Sequence, residues 1–141
     1  MECMEQIILA LGDSKNLQKH LDQIPGVSGT VTGYSGGSLE NPTYEDVISN
    51  MTGHALTVLV EYDSDVLSTK DLILDFFKLY DQESADQKNT GEGSYDRSAI
   101  FYVTDEQKQV IEEVIQDLQG RKSVSIVAEI SQAGPFYKAE L

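Results

Sequence analysis

The chain holds one cysteine, two histidines and no tryptophan among 141 residues. A single cysteine, Cys3, excludes an internal disulfide, and with only His20 and His54 beside it no cysteine/histidine metal cluster can be assembled. An all-oxygen magnesium or calcium site needs neither residue, yet no acidic loop has the ligand spacing that would suggest one, so neither metal nor other cofactor is expected. Basic residues are scarce as well: ten against twenty-four acidic ones leave a formal charge of -14. Such a surface repels phosphate backbones and anionic headgroups, which sets nucleic acid and membranes aside as partners. No apolar run is long enough to cross a bilayer, and residues 1–6 contain two glutamates where a secretory signal carries positive charge. A cytoplasmic protein is expected.

What is present suffices for a core. With 40% apolar and 24% charged residues, the chain fits one domain over 1–141 that folds without staples. Ile7-Ile8-Leu9-Ala10-Leu11 is short, β-branched at its start and halted by Gly12-Asp13, which predicts a strand buried on both faces. Asp13 or Ser14 can cap a following helix in which Leu17, Leu21 and Ile24 recur until Pro25-Gly26. A strand over 27–34 leads into a loop marked by Gly33, Gly36 and Gly37. Thr43 with acid at the third helical position, Asp46, opens one helical turn. Leu56, Val58, Val60 and Tyr62 alternate with Ala55, Thr57, Leu59 and Glu61 as a strand with one apolar face.

Ser68 and Asp71 cap a helix that buries Leu72, Ile73, Phe76, Phe77 and Tyr80, and 81–96 follows as a polar loop without periodicity. A strand over 98–103 leads to a helix opened by the capping box of Thr104 and Gln107 and closed by Gly120. That helix buries Val110, Ile111, Val114, Ile115 and Leu118, and residues 124–130 are the last strand. The order predicts an α/β (α+β) fold, a ferredoxin-like two-layer sandwich with helices packed on one face of a mixed sheet.

Six segments share the order and spacing of one family. They are Gly33-Tyr34-Ser35-Gly36-Gly37, Asn41-Pro42-Thr43-Tyr44-Glu45-Asp46-Val47, Thr52-Gly53-His54-Ala55, Tyr62-Asp63, Arg97-Ser98-Ala99-Ile100 and Pro135-Phe136-Tyr137-Lys138-Ala139-Glu140. Through them nearly the whole chain resembles peptide methionine sulfoxide reductase A. That chemistry attacks sulfur with a soft thiolate favoured at a helix N-terminus, supplied in the family by the cysteine of Gly-Cys-Phe-Trp-Gly. Counted back from Pro25-Gly26-Val27 without a gap, the matching segment is Gly12-Asp13-Ser14-Lys15-Asn16. The resemblance therefore implies aspartate at the nucleophile position. A carboxylate cannot form the sulfenic acid and disulfide intermediates of the cycle.

The other reacting groups are altered too. The family's phenylalanine and tryptophan, which line an apolar pocket for the methyl group, correspond to Ser14 and Lys15. The glutamate that follows Gly-His-Ala and protonates the sulfoxide oxygen corresponds to Leu56. In Gly-Asn-Asp-x-Gly-Thr-Gln-Tyr-Arg-Ser the aspartate aligns with Gly91 and the tyrosine with Asp96, or with Tyr95 after a one-residue shift. The cleft residues to examine are thus Asp13, Ser14, Lys15, Tyr44 and Tyr95, none of them catalytic.

Each has a plainer role. Asp13 serves as a helix cap, although a carboxylate there also resembles a sulfinate in charge and shape. Lys15 serves as a solvated helix residue, Tyr44 and Tyr34 as packing anchors, His54 as a loop brace, and Arg97 as a partner for loop carboxylates. Function divides accordingly. One reading is a pseudoenzyme that binds a peptide or small polar ligand in the old cleft; another is an interaction subunit that regulates an active paralogue. The competing class is an enzyme, either a reductase acting through Cys3 or an unrelated activity using Asp13, Lys15 and Tyr44. Cys3 precedes the first strand and Asp13 follows it, and about seven residues at roughly 3.3 Å each put them roughly 20 Å apart.

Overall fold

The computed structural model describes residues 4–11, 14–37, 40, 42–49, 53–86, 99–121, 129–134 and 136–138; the side chains of 14–16, 48, 79–86, 118–121 and 129 lie outside that description. The apolar run at the N-terminus is the strand β1, Met4–Ala10, and it sits inside the sheet. Both faces are covered: Ile7, Leu9 and Leu11 point into one apolar cluster, Ile8 and Ala10 into another. Continuous rather than alternating hydrophobicity has this physical cause.

The helix α1, Ser14–Leu21, buries Leu17 and Leu21 and leads through the turn at Pro25-Gly26 to β2, Val27–Ser35. The short α2, Tyr44–Ile48, opens with the expected box: Thr43 Oγ1 accepts from the Asp46 amide and the Asp46 carboxylate accepts from the Thr43 amide. Then come β3, Ala55–Asp63, α3, Thr69–Asp86, β4, Ala99–Tyr102, and α4, Asp105–Arg121. The chain closes with β5, Glu129–Gln132, and β6, Phe136–Lys138.

The six strands form one mixed sheet in the order β5-β4-β1-β3-β2-β6. Its inner four, β4-β1-β3-β2, are antiparallel neighbours joined through two helical crossovers, which is the expected ferredoxin-like arrangement. To this β5 adds a parallel strand beside β4, and β6 adds an antiparallel strand beside β2. The main core lies between sheet and helices, where Val58, Val60, Tyr62 and Ile100 meet Leu72, Ile73, Phe76 and Phe77 of α3 and Ile111 and Val114 of α4. Each such side chain contributes about 1.5–3 kcal/mol by leaving water. Among the described residues no helix is long and apolar enough to cross a membrane.

Four expectations need correction. Residues 81–86, read as the start of a loop, continue α3 to Asp86, and the rest of that stretch, 87–96, lies outside the described residues. Asp-Gln-Glu-Ser-Ala-Asp contains neither glycine nor proline, and a polar last turn needs no apolar periodicity. Gly120 does not close α4, which runs through it to Arg121. The strand placed at 124–130 is observed at Glu129–Gln132, with Ile130 opposite Ile100, while 122–128 are not described. The face away from the helices carries a second, smaller cluster, in keeping with a β1 buried on both sides: Ile8, Ala10, Ala55, Ala99 and Phe101 are buried there, with Leu59, Ala133 and Phe136 packed against them. β6 was not expected at all, since three residues are too few to show a period.

One buried polar network ties the helices to the sheet at the end where β3 finishes. Gln107, 1% exposed, accepts from the Val103 amide at 2.7 Å and the Thr104 amide at 3.3 Å, and donates to the Gln6 carbonyl at 2.9 Å and Tyr62 Oη at 3.1 Å. Tyr62 Oη also meets Thr69 Oγ1 at 2.7 Å. Burial pushes the Tyr62 phenol above its ordinary range, with a smaller push from Glu5, against the pull of the Thr69 and Gln107 bonds. The fold therefore prefers the neutral phenol. Its contribution is fully present below the unfolded-chain value of about 10 and is lost as pH rises through the raised folded value. In an alkaline titration followed by tyrosinate absorbance, one of the seven tyrosines is expected to ionise only with unfolding. Tyr62→Phe should remove that component; its persistence would place the late tyrosine elsewhere.

Candidate functional site

Strand register determines what can meet at the end of the sheet where β1 finishes. In the β1–β3 ladder Ile7 faces Val60 and Leu9 faces Val58. Extended two residue pairs past the last of these, the same register would set Leu11, two residues before Asp13 in the sequence, opposite Leu56. Leu56 in turn lies opposite Tyr34 of β2, and Tyr34 opposite Tyr137 of β6. Side-chain alternation places His54, Leu56, Val58 and Val60 on the helix-covered face, so Tyr34 and Leu56 share the face from which α1 starts.

This end of the face is partly open. Val58 and Val60 are fully buried, whereas Leu56 is only half-buried, and Tyr34 is buried against it with 2% exposure. Leu56 therefore presents apolar surface at a place the fold leaves accessible. Two turns border it. Gly36 takes a positive φ of 89°, which a side chain would strain, and Gly37 follows at the end of β2. The Gly37 amide donates to His54 Nδ1 at 3.0 Å, and the Gly37 Cα lies against Gly53, so the turn after β2 and the turn before β3 pack together.

His54 is 2% exposed. Because Nδ1 accepts, the ring proton resides on Nε2. The ring also meets the Tyr137 ring edge-on, with centroids 5.6 Å apart and planes at 81°. β6 docks where Gly33 leaves room for it: a Cβ on Gly33 would come within 2.4 Å of both Phe136 Cζ and the Tyr137 carbonyl oxygen. The loop-bracing role expected of His54 is thus observed. The contact with Tyr137 was not foreseen, although Gly53-His54 and Phe136-Tyr137 each stand in a recognised segment.

The sequence-selected cleft residues fare unevenly. Ser14 and Lys15 form the first turn of α1, with no acidic residue in that turn, and Asp13 directly precedes it in sequence. Asp13 and Tyr95 lie outside the described residues, as do the side chains of Ser14 and Lys15. Tyr44, at the first position of α2, is 50% exposed. Arg97, Gly91 and Asp96 also lie outside the described residues. Among the described residues no group of three or more histidine, cysteine, aspartate or glutamate side chains could hold a metal ion.

Residues 5–141 match the family model described as peptide methionine sulfoxide reductase. The peptide methionine sulfoxide reductase MsrA of Methanothermobacter thermautotrophicus is 42% identical over 120 residues, covering 84% of this chain and 71% of the relative. That of Clostridium perfringens is 36% identical over 137 residues, covering 97% and 87%. Among solved structures, methionine sulfoxide reductase A of Corynebacterium diphtheriae superposes with a TM-score of 0.79 at 25% identity, over 99% of this chain and 72% of that one. Mxr1 from Saccharomyces cerevisiae in reduced form gives 0.82 at 21% identity, over 97% and 80%. The same yeast protein is also known in complex with Trx2, where the TM-score is 0.63 at 20% identity, over 97% and 81%.

Proposed function

Since the chain belongs to the peptide methionine sulfoxide reductase family, we propose that it is a pseudoenzyme of that family, one that keeps the cleft and has lost the reaction. The observation that carries this reading is Leu56. The resemblance puts the family's proton donor at position 56, and the residue there, paired with Tyr34 across the sheet, is a half-buried leucine. Leucine can contact a methyl group or an aliphatic stem but cannot deliver a proton to a departing sulfoxide oxygen. Asp13, at the nucleophile position by the same resemblance, supplies oxygen where the cycle needs sulfur. The one thiol of the chain, Cys3, precedes β1 in the sequence, whereas Asp13 follows it.

The cleft then acts as a binding site for a peptide or small polar ligand. Leu56, paired with Tyr34, gives it an apolar floor, and the resemblance assigns Ser14, Lys15, Tyr44 and Tyr95 to its polar lining. Regulation of an active paralogue is the second form of the same idea, and a protein partner as such has a precedent in the structural neighbour Mxr1, known in complex with Trx2.

Thermal unfolding with a methionine sulfoxide peptide tests the binding. At a hundred-fold excess over Kd the ligand stabilises by about 2.7 kcal/mol, on the order of 10 °C in Tm for a chain of this size. Tyr44→Phe is expected to shrink the shift by weakening binding about five- to tenfold. No shift at saturating peptide would leave the retained cleft as scaffolding.

A further inference from the structure

We propose that His54 is a positioning residue for the cleft, held by the C-terminal strand β6, so that docking of β6 sets the Gly36-Gly37 turn and through it the affinity for ligand. The affinity part of this inference rests on the binding reading above, whereas the link between β6, His54 and Gly37 stands on geometry alone. Three contacts form a chain. Phe136 occupies the space that Gly33 leaves open, and this seats β6 on β2 over only three residue pairs. Tyr137, in the middle pair, places its ring edge-on to the His54 imidazole. His54 Nδ1 then accepts the Gly37 amide at 3.0 Å.

Each member depends on the one before it. An imidazole at the start of a strand can rotate about two side-chain bonds, and only one orientation aims Nδ1 at Gly37. An aromatic edge against the ring selects that orientation. Gly36 and Gly37 cannot hold themselves, because glycine has the largest conformational freedom to lose, so the bond to Nδ1 is what chooses one shape for their turn. That turn follows Tyr34 by two residues, and Tyr34 faces Leu56 on the cleft floor. β6 lies at the sheet edge with a three-residue ladder, so it is the strand whose attachment can vary while the core between sheet and helices stays intact.

The test reads the Gly37 amide directly by hydrogen exchange with NMR detection, alongside peptide affinity. His54→Phe keeps a buried ring and removes the acceptor; Gly37 is expected to exchange about tenfold faster and the peptide to bind about tenfold more weakly, the size of one lost hydrogen bond. His54→Asn puts an oxygen near the position of Nδ1 and should restore both readouts, which a merely space-filling histidine would not predict. Tyr137→Leu leaves the acceptor in place and should still speed Gly37 exchange, by less than His54→Phe does, because the ring loses its edge-on neighbour. In the unmodified protein long-range nitrogen-15 spectra should show His54 with its proton on Nε2 and a scalar coupling from the Gly37 amide to Nδ1. Unchanged Gly37 exchange in His54→Phe, or absence of that coupling in the unmodified protein, overturns the proposal. If the unmodified protein binds no peptide the binding reading fails, and the exchange arm still decides the link from β6 to the turn.

Discussion

Asp13→Cys combined with Leu56→Glu is expected to reduce a methionine sulfoxide peptide about a hundred- to ten-thousand-fold faster than Asp13→Cys alone, the range a positioned general acid contributes. The single change puts a thiol in front of α1, where the helix N-terminus favours the thiolate, but gives the departing oxygen no proton. A glutamate at 56 would stand on the helix-covered face beside buried Tyr34, partly shielded from water, an environment that keeps a carboxyl protonated towards neutral pH. The gain should fall on kcat. KM should stay high, because Ser14 and Lys15 still replace the apolar wall for the substrate methyl group. Equal rates in the single and double variants, measured with dithiothreitol as reductant, would mean that position 56 is not the seat of the acid.

Gln107→Leu is expected to destabilise the fold by about 3–5 kcal/mol, because one buried amide satisfies four partners, each of which costs about 1–3 kcal/mol when left unpaired and dry, and water recovers part of that cost at the exposed residues Gln6, Val103 and Thr104. The leucine fills similar volume, so packing does not account for the loss. The Val103 and Thr104 amides lose their acceptor at the start of α4, while the Gln6 carbonyl and Tyr62 Oη lose a donor. Gln107→Glu separates the two halves of the network: its carboxylate can still accept both amides but sets an oxygen against the Gln6 carbonyl at a position now 2.9 Å away. It should be destabilised at neutral pH and recover as the carboxyl is protonated. Urea unfolding at two pH values measures both variants; a cost under about 1 kcal/mol for Gln107→Leu would show that water replaces the amide.

How much of this was legible in the sequence follows from where each signal resides. β1 announced itself because burial on both faces leaves no polar position in the run from Ile7 to Leu11. The boxes at Thr43 and Thr104 were legible because the cap and its partner are three residues apart, so local chemistry suffices. The end of β5 at Gln132 and the whole of β6 were missed for the opposite reason. Among the described residues these edge strands are short and held by the ladder they join, and that partner is distant in sequence. The end of α3 was hidden because a polar last turn carries no apolar period.

The site shows the same division. Leu56 was found through the order of the motifs, and the β2–β3 register adds its setting, since pairing sets position 56 opposite buried Tyr34. His54 was assigned a bracing role without its target. Its bond to Gly37 spans seventeen residues and its ring contact reaches Tyr137 near the other end of the chain, and neither distance in sequence leaves a local pattern.

The central claim, a reductase fold without its reaction, is tested most directly by proton NMR of a methionine-(S)-sulfoxide peptide incubated with the unmodified protein and excess dithiothreitol. The account predicts that the S-methyl signal stays at the sulfoxide position and matches a Cys3→Ser control. Conversion to the thioether above that control would contradict it and make Cys3 the nucleophile.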